Sequence, residues 1–474
     1  MSKTVHFVSL GCPKNRVDSE VMLGVALGDG YRHVDDASDA ELILVNTCGF
    51  IGEAKKESID AIFEMARQKE TGRCKKLVVT GCLAQRHPEE LADQIPEIDH
   101  LLGSSDMMKL GKVLEGDADR ILVGTPADWL TSAAAPRVLS TRPGSAYVKI
   151  AEGCNRTCSF CVIPELRGKQ RSRAIDDVVR EVEALVSRGV KEINLVSQDT
   201  VAYGRDRPER PVLSDLVRAV AEVPGLVWAR LFYLYPETLT DELLELLASH
   251  PRVLPYVDMP LQHAADGMLR RMRRGHGGAR LRKVVSTLRD RVPNLVFRSA
   301  FIVGHPGETQ EEFEELCEFI RWAEFDRVGF FRYSDEESSR SFTFEGKVPA
   351  RTAQSRYRKL TTIQRAILDK KNKAMIGRDV DVLVEGMSDE HEFVMMGRHG
   401  GQAPEIDGQV YLSGGECTAG ELRRVTITQA SDCDLVGELH EVDASSDAAA
   451  STESTPRAPR RANVRSPKRL PVVR

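Results

Sequence analysis

The sequence contains no apolar run long enough to cross a membrane and no apolar leader. Its apolar stretches fall well short of the ~20 residues that a membrane span needs, and Met1–Phe7 leads directly into a strand-like segment rather than a signal peptide. A surplus of positive charge is also missing, because 66 Lys and Arg face 71 Asp and Glu, a net charge of -5. We therefore expect a cytoplasmic protein with no membrane partner and no general affinity for nucleic acid.

What the chain does contain is an ordinary globular composition and ten cysteines. Its 474 residues suffice for about three domains, and 41% hydrophobic with 29% charged residues is typical of folded domains. In a reducing compartment, grouped cysteines more often indicate metal binding or catalysis than disulfides. The ten are Cys12, Cys48, Cys74, Cys82, Cys154, Cys158, Cys161, Cys317, Cys417 and Cys433.

Residues 1–125 alternate strand and helix patterns. Apolar runs over Val5–Leu10, Glu41–Asn46 and Lys76–Thr80 predict buried parallel strands, and helical patterns lie between them. The helix after the third strand is expected to begin near Pro88, a favourable first-turn residue. This order predicts an N-terminal α/β domain built on a parallel sheet.

Three cysteines, named here the strand-end trio, each follow one of these strands. Cys12, Cys48 and Cys82 all lie beside a glycine just past the carboxyl end of a strand. Ligands of open α/β sheets bind at that edge, so the fold should bring the three thiols together. Three small buried thiols are the alternative, but the equivalent positions favour a metal centre. Cys74 lies on the helix side of its strand and is interpreted as structural.

Two further domains are predicted after a linker over residues 126–145, which is rich in Ala, Pro, Ser and Thr. Residues 146–373 contain six strand candidates with helical patterns between them and end in a connecting helix over 350–373. This predicts a partial (βα)6 TIM-like barrel with its chemistry at the carboxyl mouth. The strand candidates are Tyr147–Ala151, Glu192–Val196, Trp228–Tyr233, Pro255–Met259, Val296–Val303 and Arg327–Arg332.

The last folded unit is predicted to be a small all-β barrel over residues 374–441, because its pattern changes to short strands. It carries 14 acidic residues against four arginines, a net charge of about -10. Residues 442–474 are rich in Ala, Ser, Pro and Arg and are predicted to form a disordered tail.

The most specific motif is the loop Cys154-Asn155-Arg156-Thr157-Cys158-Ser159-Phe160-Cys161, whose cysteines we name the loop trio. Three thiolates on a cubane cluster leave one iron open to a small molecule. A structural zinc site is the main alternative, but zinc sites favour paired two-residue spacings with a second pair downstream. The spacing of three and then two residues instead indicates the radical S-adenosylmethionine loop.

Over almost its full length to about residue 441, the chain resembles the methylthiotransferases of the radical S-adenosylmethionine class. The resemblance implies three domains: an α/β domain with a second cluster, a partial barrel, and a TRAM-type (OB-like) β-barrel. It rests on Gly11-Cys12, Asn46-Thr47-Cys48, Gly81-Cys82, Glu152-Gly153-Cys154-Asn155 and Phe301-Ile302-Val303-Gly304-His305-Pro306-Gly307-Glu308-Thr309.

The resemblance also implies the cofactors, which are two 4Fe-4S clusters and S-adenosylmethionine. The loop trio would hold the cluster that generates a radical, and the strand-end trio would hold the cluster that presents sulfur for methylthiolation. A non-catalytic iron–sulfur or zinc module is the alternative of another class, and iron and sulfide analysis separates the two.

Within this family, local motifs favour the branch that modifies an aspartate of ribosomal protein S-twelve over the branch that modifies a transfer-RNA adenosine. The clearest is Cys12-Pro13-Lys14-Asn15, because the transfer-RNA branch usually has Gln-Met after the cysteine. The charge of the β-barrel points the same way, since an RNA-binding barrel should be basic and an acidic one attracts a basic ribosomal protein. We expect S-twelve as the partner, free or on the ribosomal subunit. An acidic surface kept for solubility is the alternative.

Other candidate site residues are weaker predictions. Phe160 and Gln262 are predicted cofactor contacts, and the neighbouring His263 could equally be a satisfied core residue. Arg298 is a candidate partner for the methionyl carboxylate, with a structural ion pair as the alternative. Gly304 and Gly307 are predicted to let the backbone approach the adenosyl group, unless they are only turn residues.

Basic and cysteine residues outside these motifs received simpler interpretations. Arg167, Arg171 and Arg173 could orient substrate or form a solvated basic run. Cys317, Cys417 and Cys433 are interpreted as structural.

Overall fold

A computed structural model describes residues 3–116, 118–236, 239–391 and 393–441 of the chain. The predicted disordered tail over 442–474 lies outside the described residues. Among the described residues, none of the helices combines the length and the apolar character that a membrane span requires.

The first unit is a six-stranded parallel sheet with helices on its faces, in the order β2-β1-β3-β4-β5-β6. The central strands β1, β3 and β4 are buried along almost their whole length, and apolar runs such as Leu42–Val45 and Leu77–Val79 lie within them. The elements are β1 Thr4–Ser9, α1 Pro13–Gly28, β2 Arg32–His33, β3 Leu42–Thr47, α2 Gly52–Ala66, α3 Gln68–Thr71, β4 Lys76–Gly81, α4 Cys82–Arg86, α5 Pro88–Gln94, β5 His100–Leu102, α6 Leu110–Glu115 and β6 Ile121–Leu122.

The second unit is an open barrel of six parallel strands in sequence order, β7-β10-β11-β12-β13-β14. The elements are β7 Ser145–Lys149, β8 Ala151–Glu152, α7 Ile163–Arg167, β9 Arg171–Ser172, α8 Ile175–Val186, β10 Glu192–Val196, α9 Leu213–Ala221, β11 Trp228–Leu231, α10 Asp241–Ser249, β12 Val253–Asp258, α11 Asp266–Arg271, α12 Gly278–Arg291, β13 Val296–Val303, α13 Gln310–Ala323, β14 Arg327–Arg332 and α14 Ala350–Lys373. The short pair β8–β9 is antiparallel and carries the loop trio at its end.

The third unit is a closed five-stranded barrel, β15-β16-β17-β19-β18. Its strands are β15 Asp379–Met387, β16 Met395–His399, β17 Val410–Ser413, β18 Leu422–Ala430 and β19 Leu435–Leu439. Its interior is filled by alternate aliphatic residues such as Val382, Val410 and Ile427. The predicted fold class, with a parallel α/β sheet, a partial barrel and a small β-barrel, is thereby confirmed.

Buried ion pairs join the closed barrel to the open one. Glu192 on β10 binds Arg230 on β11 (2.8 Å) and Arg398 on β16 (2.5 Å), and Arg398 also binds Glu385 (2.7 Å). The side chains of all four residues are 8% exposed or less. Because buried charges are costly unless paired, this network fixes the position of the closed barrel against the strands.

Candidate functional site: two trios of cysteines

The three strands that precede the strand-end trio are neighbours in the first sheet. Cys12 immediately precedes α1, Cys48 directly follows β3, and Cys82 is the first residue of α4, directly after β4. Because β1, β3 and β4 are adjacent and parallel, their carboxyl ends bring the three cysteines to one edge. The helix after β4 begins at Cys82 itself and not near Pro88, where a second helix starts.

Glycines let the three cysteine segments approach closely. A Cβ on Gly11 would lie 2.9 Å from the Cβ of Cys48. A Cβ on Gly49 would lie 2.9 Å from the carbonyl carbon of Cys82. No real side chain tolerates such contacts with backbone, so glycine at both positions is a condition for bringing the thiols together.

Burial opposes the ionisation of two thiols of the strand-end trio. Burial raises the pKa of the Cys48 thiol to about 12, and the neighbouring Cys82 and Cys12 raise it further. Burial also raises the pKa of Cys82, which the guanidinium of Arg167 partly offsets. Three thiols at one sheet edge are a donor set suited to a cluster whose irons neutralise the thiolates.

Arg167 is a buried cation beside this trio. It is 2% exposed, binds Asp18 (2.7 Å) and donates a hydrogen bond to the side chain of Asn15. Asn15 in turn donates to the carbonyl oxygens of Leu10 and Thr47 (3.1 and 2.9 Å) and accepts from the Cys82 thiol (3.8 Å). Asn15 belongs to the motif that begins at Cys12. Its role could not be predicted from the sequence, because its contacts join segments that are far apart in the chain.

The loop trio leaves β8 through a turn that requires glycine. Gly153 has φ +82, and a Cβ there would lie 2.3 Å from the carbonyl oxygen of Lys169. The Cys154 amide donates to the Gly168 carbonyl (3.1 Å). Segments later in the chain hold the loop as well. The Ser159 amide donates to the Met272 carbonyl (3.1 Å), and the Ser341 amide donates to the Ser159 carbonyl (2.8 Å).

Donors also surround the thiols of the loop trio. Burial raises the pKa of Cys154 to about 11 and that of Cys161 to about 12. The Arg156 amide donates to the Cys154 sulfur (3.4 Å), and the Arg274 guanidinium donates to the Cys158 sulfur (3.3 Å). Hydrogen bonds of this kind tune the reduction potential of an iron–sulfur cluster. Neither arginine was singled out from the sequence for this role.

The two trios share a hydrophobic wall. Val162 directly follows Cys161 and packs against Cys82 and Leu166, with Phe50 alongside. The short helix α7 therefore separates the trios, and Arg167 at its end reaches the strand-end trio.

A second element links the trios, the segment Tyr233–Tyr235, which we name the bridging segment. At one end Lys14 places its ammonium 3.4 Å from the centre of the Tyr233 ring. At the other end Arg156 and Arg274 lie 3.7 and 4.3 Å from the centre of the Tyr235 ring. Burial lowers the pKa of Lys14, but Tyr233 and Cys12 more than offset it, so the pKa lies above the ordinary value.

Of the predicted cofactor contacts, Phe160 belongs to the loop itself, and Gln262 pairs with β13. Phe160 is partly buried and packs against Met268 and Met272. Gln262 has φ +73 and forms an isolated bridge with Phe301 on β13. Its neighbour His263 is fully buried: the Ala265 amide donates to Nδ1 (3.1 Å), so Nε2 carries the proton and donates to Glu308 (3.2 Å).

The structure gives the other candidates packing or pairing roles. Arg298 binds Asp258 (2.9 Å) and lies 3.7 Å from Asp407 of the closed barrel. Gly304 has φ +80, and a Cβ there would lie 2.7 Å from that of Ala353. Gly307 has φ +77 and donates its amide hydrogen to the Gly346 carbonyl (2.8 Å). Contact of these residues with S-adenosylmethionine stays a prediction.

The alternative that Arg167, Arg171 and Arg173 form a solvated basic run is wrong, and their role in orienting substrate stays a prediction. Arg167 and Arg173 are each 2% exposed, and Arg173 binds Asp177 (2.7 Å) and Glu181. Arg171 donates to three carbonyl groups of the segment 126–129. The error arose because a run of arginines resembles a charged surface when their distant carboxylate partners are not known.

The donor set suits a cluster better than a single metal ion. Within the described residues, no three His, Cys, Asp or Glu side chains converge as the ligands of one ion do. In a cubane each thiolate binds a different iron, so its ligands stand farther apart. Each trio offers three thiols of one kind and no histidine, which is the soft donor set that iron–sulfur clusters use.

Comparisons with protein families match all three units. Residues 4–103 match the profile described as uncharacterized protein family UPF0004, residues 148–320 match the Radical SAM superfamily, and residues 376–439 match the TRAM domain. Radical SAM enzymes bind a 4Fe-4S cluster and S-adenosylmethionine, and the chain is therefore an iron–sulfur protein of this superfamily.

Curated relatives match almost the whole chain. It is 75% identical to "Ribosomal protein uS12 methylthiotransferase RimO" of Sorangium cellulosum (strain So ce56), over 92% of this chain and 91% of the relative. It is 48% identical to the protein of the same name from Myxococcus xanthus (strain DK1622), over 93% of this chain and 92% of the relative.

Among solved structures, the chain resembles the radical S-adenosylmethionine methyltransferase TsrM from Kitasatospora setae. Its complex with cobalamin and a [4Fe-4S] cluster aligns with a TM-score of 0.51 at 17% identity, over 70% of this chain and 75% of that one. The complex with tryptophan and a S-adenosylmethionine analogue gives 0.50 at 18% identity, over 69% and 73%. At these identities the likeness shows the fold alone.

Proposed function

Because the chain belongs to the family of ribosomal protein uS12 methylthiotransferases, radical S-adenosylmethionine enzymes, we propose that it adds a methylthio group to the β-carbon of an aspartate in uS12, the S-twelve protein of the small subunit. The observation that carries this proposal is the 75% identity to a protein of that name over 92% of the chain. The chain also has the α/β unit, partial barrel and closed β-barrel that the resemblance implies.

The loop trio is proposed to hold the radical-generating cluster through Cys154, Cys158 and Cys161. A cluster with one open iron binds S-adenosylmethionine and supplies the electron for its reductive cleavage. The chain's own part is to hold the loop between Met272 and Ser341, to place hydrogen-bond donors on two thiolates, and to surround the thiols with buried side chains.

The second cluster is proposed at Cys12, Cys48 and Cys82, and the support is their convergence at one sheet edge. Iron and sulfide analysis after anaerobic reconstitution tests it. We expect about eight irons per chain, falling to about four when all three cysteines are replaced by alanine. Cys74→Ser is the matched control, because Cys74 is buried beside its strand but belongs to neither trio. An unchanged iron content in the triple variant would contradict the second cluster.

The closed barrel is proposed to meet the basic substrate protein. Arginines of the same chain pair with several of its 14 acidic residues, among them Asp381, Glu385, Asp389, Glu405, Asp407, Glu421 and Asp432. The acidic residues exposed on its surface include Asp379, Asp381, Asp389, Glu390, Glu405, Glu416, Asp432, Glu438 and Glu441. This face suits a basic ribosomal protein better than a nucleic acid, and action on the free protein or on the assembled subunit is compatible with it. The cytoplasmic location of the enzyme stays a prediction.

Mass spectrometry of uS12 tests the proposed function directly. We expect uS12 from a strain that lacks this gene to be lighter than wild-type uS12 by the replacement of one methylthio group with hydrogen, with the difference mapped to one aspartate. Complementation with the wild-type gene should restore the mass. An unchanged uS12, with a methylthio group missing from transfer RNA, would favour the transfer-RNA branch.

A further inference from the structure

Lys14 differs from Lys149 and Arg167, two other buried cations near the cysteine trios, because it has no carboxylate partner among the described residues. Lys149 binds Asp18 (2.7 Å) and Glu152, and Arg167 binds Asp18 (2.7 Å). Lys14 is 7% exposed, yet throughout the part of the chain that the structure describes it forms no salt bridge. A buried charge without a counterion is costly, so this position favours an anion supplied from outside.

The ammonium is held in place by a strained aromatic residue. Its Nζ lies 3.4 Å from the centre of the Tyr233 ring. Tyr233 has φ +57, a conformation that a bulky side chain rarely adopts, and its amide donates to the Asp258 side chain (3.2 Å). Strain of this kind persists where surrounding contacts impose it, and it concentrates at functional sites. The ammonium has three N–H donors, more than its contact with one tyrosine can use.

The location of Lys14 is the space between the two trios. It lies two residues after Cys12, in the first turn of α1. The bridging segment on which it rests continues to Tyr235, which contacts Arg156 and Arg274 beside the loop trio. A carbon that loses hydrogen at one cluster site and gains sulfur at the other has to lie in this space.

We propose that Lys14 binds the side-chain carboxylate of the substrate aspartate. The inference rests on the proposed function, in which sulfur is added to the carbon next to that carboxylate. A fixed ammonium would orient the carboxylate and thereby the adjacent C–H bonds. The thiolates of the strand-end trio are a less suitable partner, since cluster iron would neutralise them and Arg167 already faces them.

Binding of matched substrates by the reconstituted holoenzyme tests this inference. The two ligands are uS12 and a uS12 variant in which the modified aspartate, located by mass spectrometry, is replaced by asparagine. The basic surface of uS12 is common to both, so its contribution cancels from the ratio of dissociation constants. A charge-assisted hydrogen bond predicts that wild-type enzyme prefers the aspartate form about tenfold or more.

The enzyme variants are Lys14→Met and Lys14→Arg. We expect K14M to bring the preference to about onefold, because methionine keeps the length of the side chain without its charge, and K14R to keep part of the preference. Lys76→Met is the matched control: Lys76 is a partly buried lysine that donates to the Val113 carbonyl and lies at the start of β4, away from the trios. It should keep the wild-type ratio.

Each outcome separates this inference from the function on which it rests. A K14M enzyme that keeps the full preference for aspartate overturns the role of Lys14. So does a loss of iron in K14M with the preference intact, which would assign the ammonium to the cluster. Equal affinity of the wild-type enzyme for both forms of uS12 also overturns it, even where mass spectrometry shows that uS12 is methylthiolated.

Discussion

Arg167 donates a hydrogen bond to the side chain of Asn15, which joins the end of one short helix to the helix that begins beside Cys12. Arg167 belongs to the segment that follows the loop trio, and Asn15 lines the strand-end trio. The same arginine binds Asp18 (2.7 Å) and lies 3.6 Å from Glu152. The relative position of the two trios therefore depends on one buried guanidinium.

Replacing Arg167 with methionine should destabilise the protein. The change leaves Asp18 with Lys149 as its remaining cation, and it removes a hydrogen bond from Asn15. Breaking a buried ion pair costs about 3–5 kcal/mol, and we expect a loss in this range in the free energy of unfolding, measured by urea denaturation. Arg180→Met is the control, because that exposed pair with Asp176 should contribute at most about 1 kcal/mol. Equal losses in both variants would contradict the role of Arg167.

Replacing Arg398 with methionine should loosen the closed barrel from the open one. Glu192 loses one of its two arginines, and Glu385 loses the partner at 2.7 Å. We expect limited proteolysis between α14 and β15 to become at least about tenfold faster, which corresponds to a loss of about 1.4 kcal/mol or more in domain contact. The variant Arg424→Met, which removes an exposed pair with Asp381, should be cleaved at the wild-type rate.

The same interface should make stability depend on pH through His399. Burial, with Arg327, Arg230 and Arg398 nearby, lowers the pKa of His399 to about 3 from its ordinary 6.5. A group whose folded pKa is depressed contributes stability above its unfolded pKa, and this contribution is lost as the pH falls from 6.5 towards 3. Between pH 7 and 5 the loss is at most about 2 kcal/mol.

The variant His399→Asn lacks this titration. Its free energy of unfolding should fall less between pH 7 and 5 than that of the wild type, by up to about 2 kcal/mol in anaerobic urea titrations. The Gly401 amide, which donates to His399 Nδ1 at 3.0 Å, can be satisfied by the asparagine oxygen. Identical pH profiles for the two proteins would show that the ring is protonated at no cost.

Replacing Gly304 with alanine should destabilise the junction of β13 and α14. The new Cβ would lie 2.7 Å from that of Ala353, and φ is +80. We expect a loss of about 1–3 kcal/mol in the free energy of unfolding, and the added change Ala353→Gly should recover the part due to the clash. Gly111→Ala is the opposite control: a Cβ there meets nothing within 4 Å on α6, so the helix should gain about 0.5–1 kcal/mol.

The sequence predicted the long elements better than the short ones and the connections between them. The strands Glu192–Val196, Val296–Val303 and Arg327–Arg332 match the structure end to end. The short strands β2, β5 and β6 were missed, since two or three residues show no periodicity. The strand β16, Met395–His399, was missed as well, because it contains Gly397 and two polar residues.

The cysteine positions were predictable because strand ends and glycines mark them locally. The roles of Arg167, Lys14 and Tyr233 were not, since each depends on residues more than a hundred positions away. The same limit applied to Arg298, whose pairing with Asp407 crosses from the open barrel to the closed one. Local patterns report on elements, while the pairing of buried charges is a property of the assembled fold.

The loop trio is completed late in synthesis. All six cysteines of the two trios lie in the first 161 residues, but Ser341, whose amide holds Ser159, follows about 180 residues later. At about 5–20 residues per second, translation leaves these thiols without their final clamp for roughly 10–40 s. Oxidation during this interval would consume ligands before the pocket exists, so growth under oxygen should lower the yield of active enzyme even at an unchanged supply of iron and sulfide.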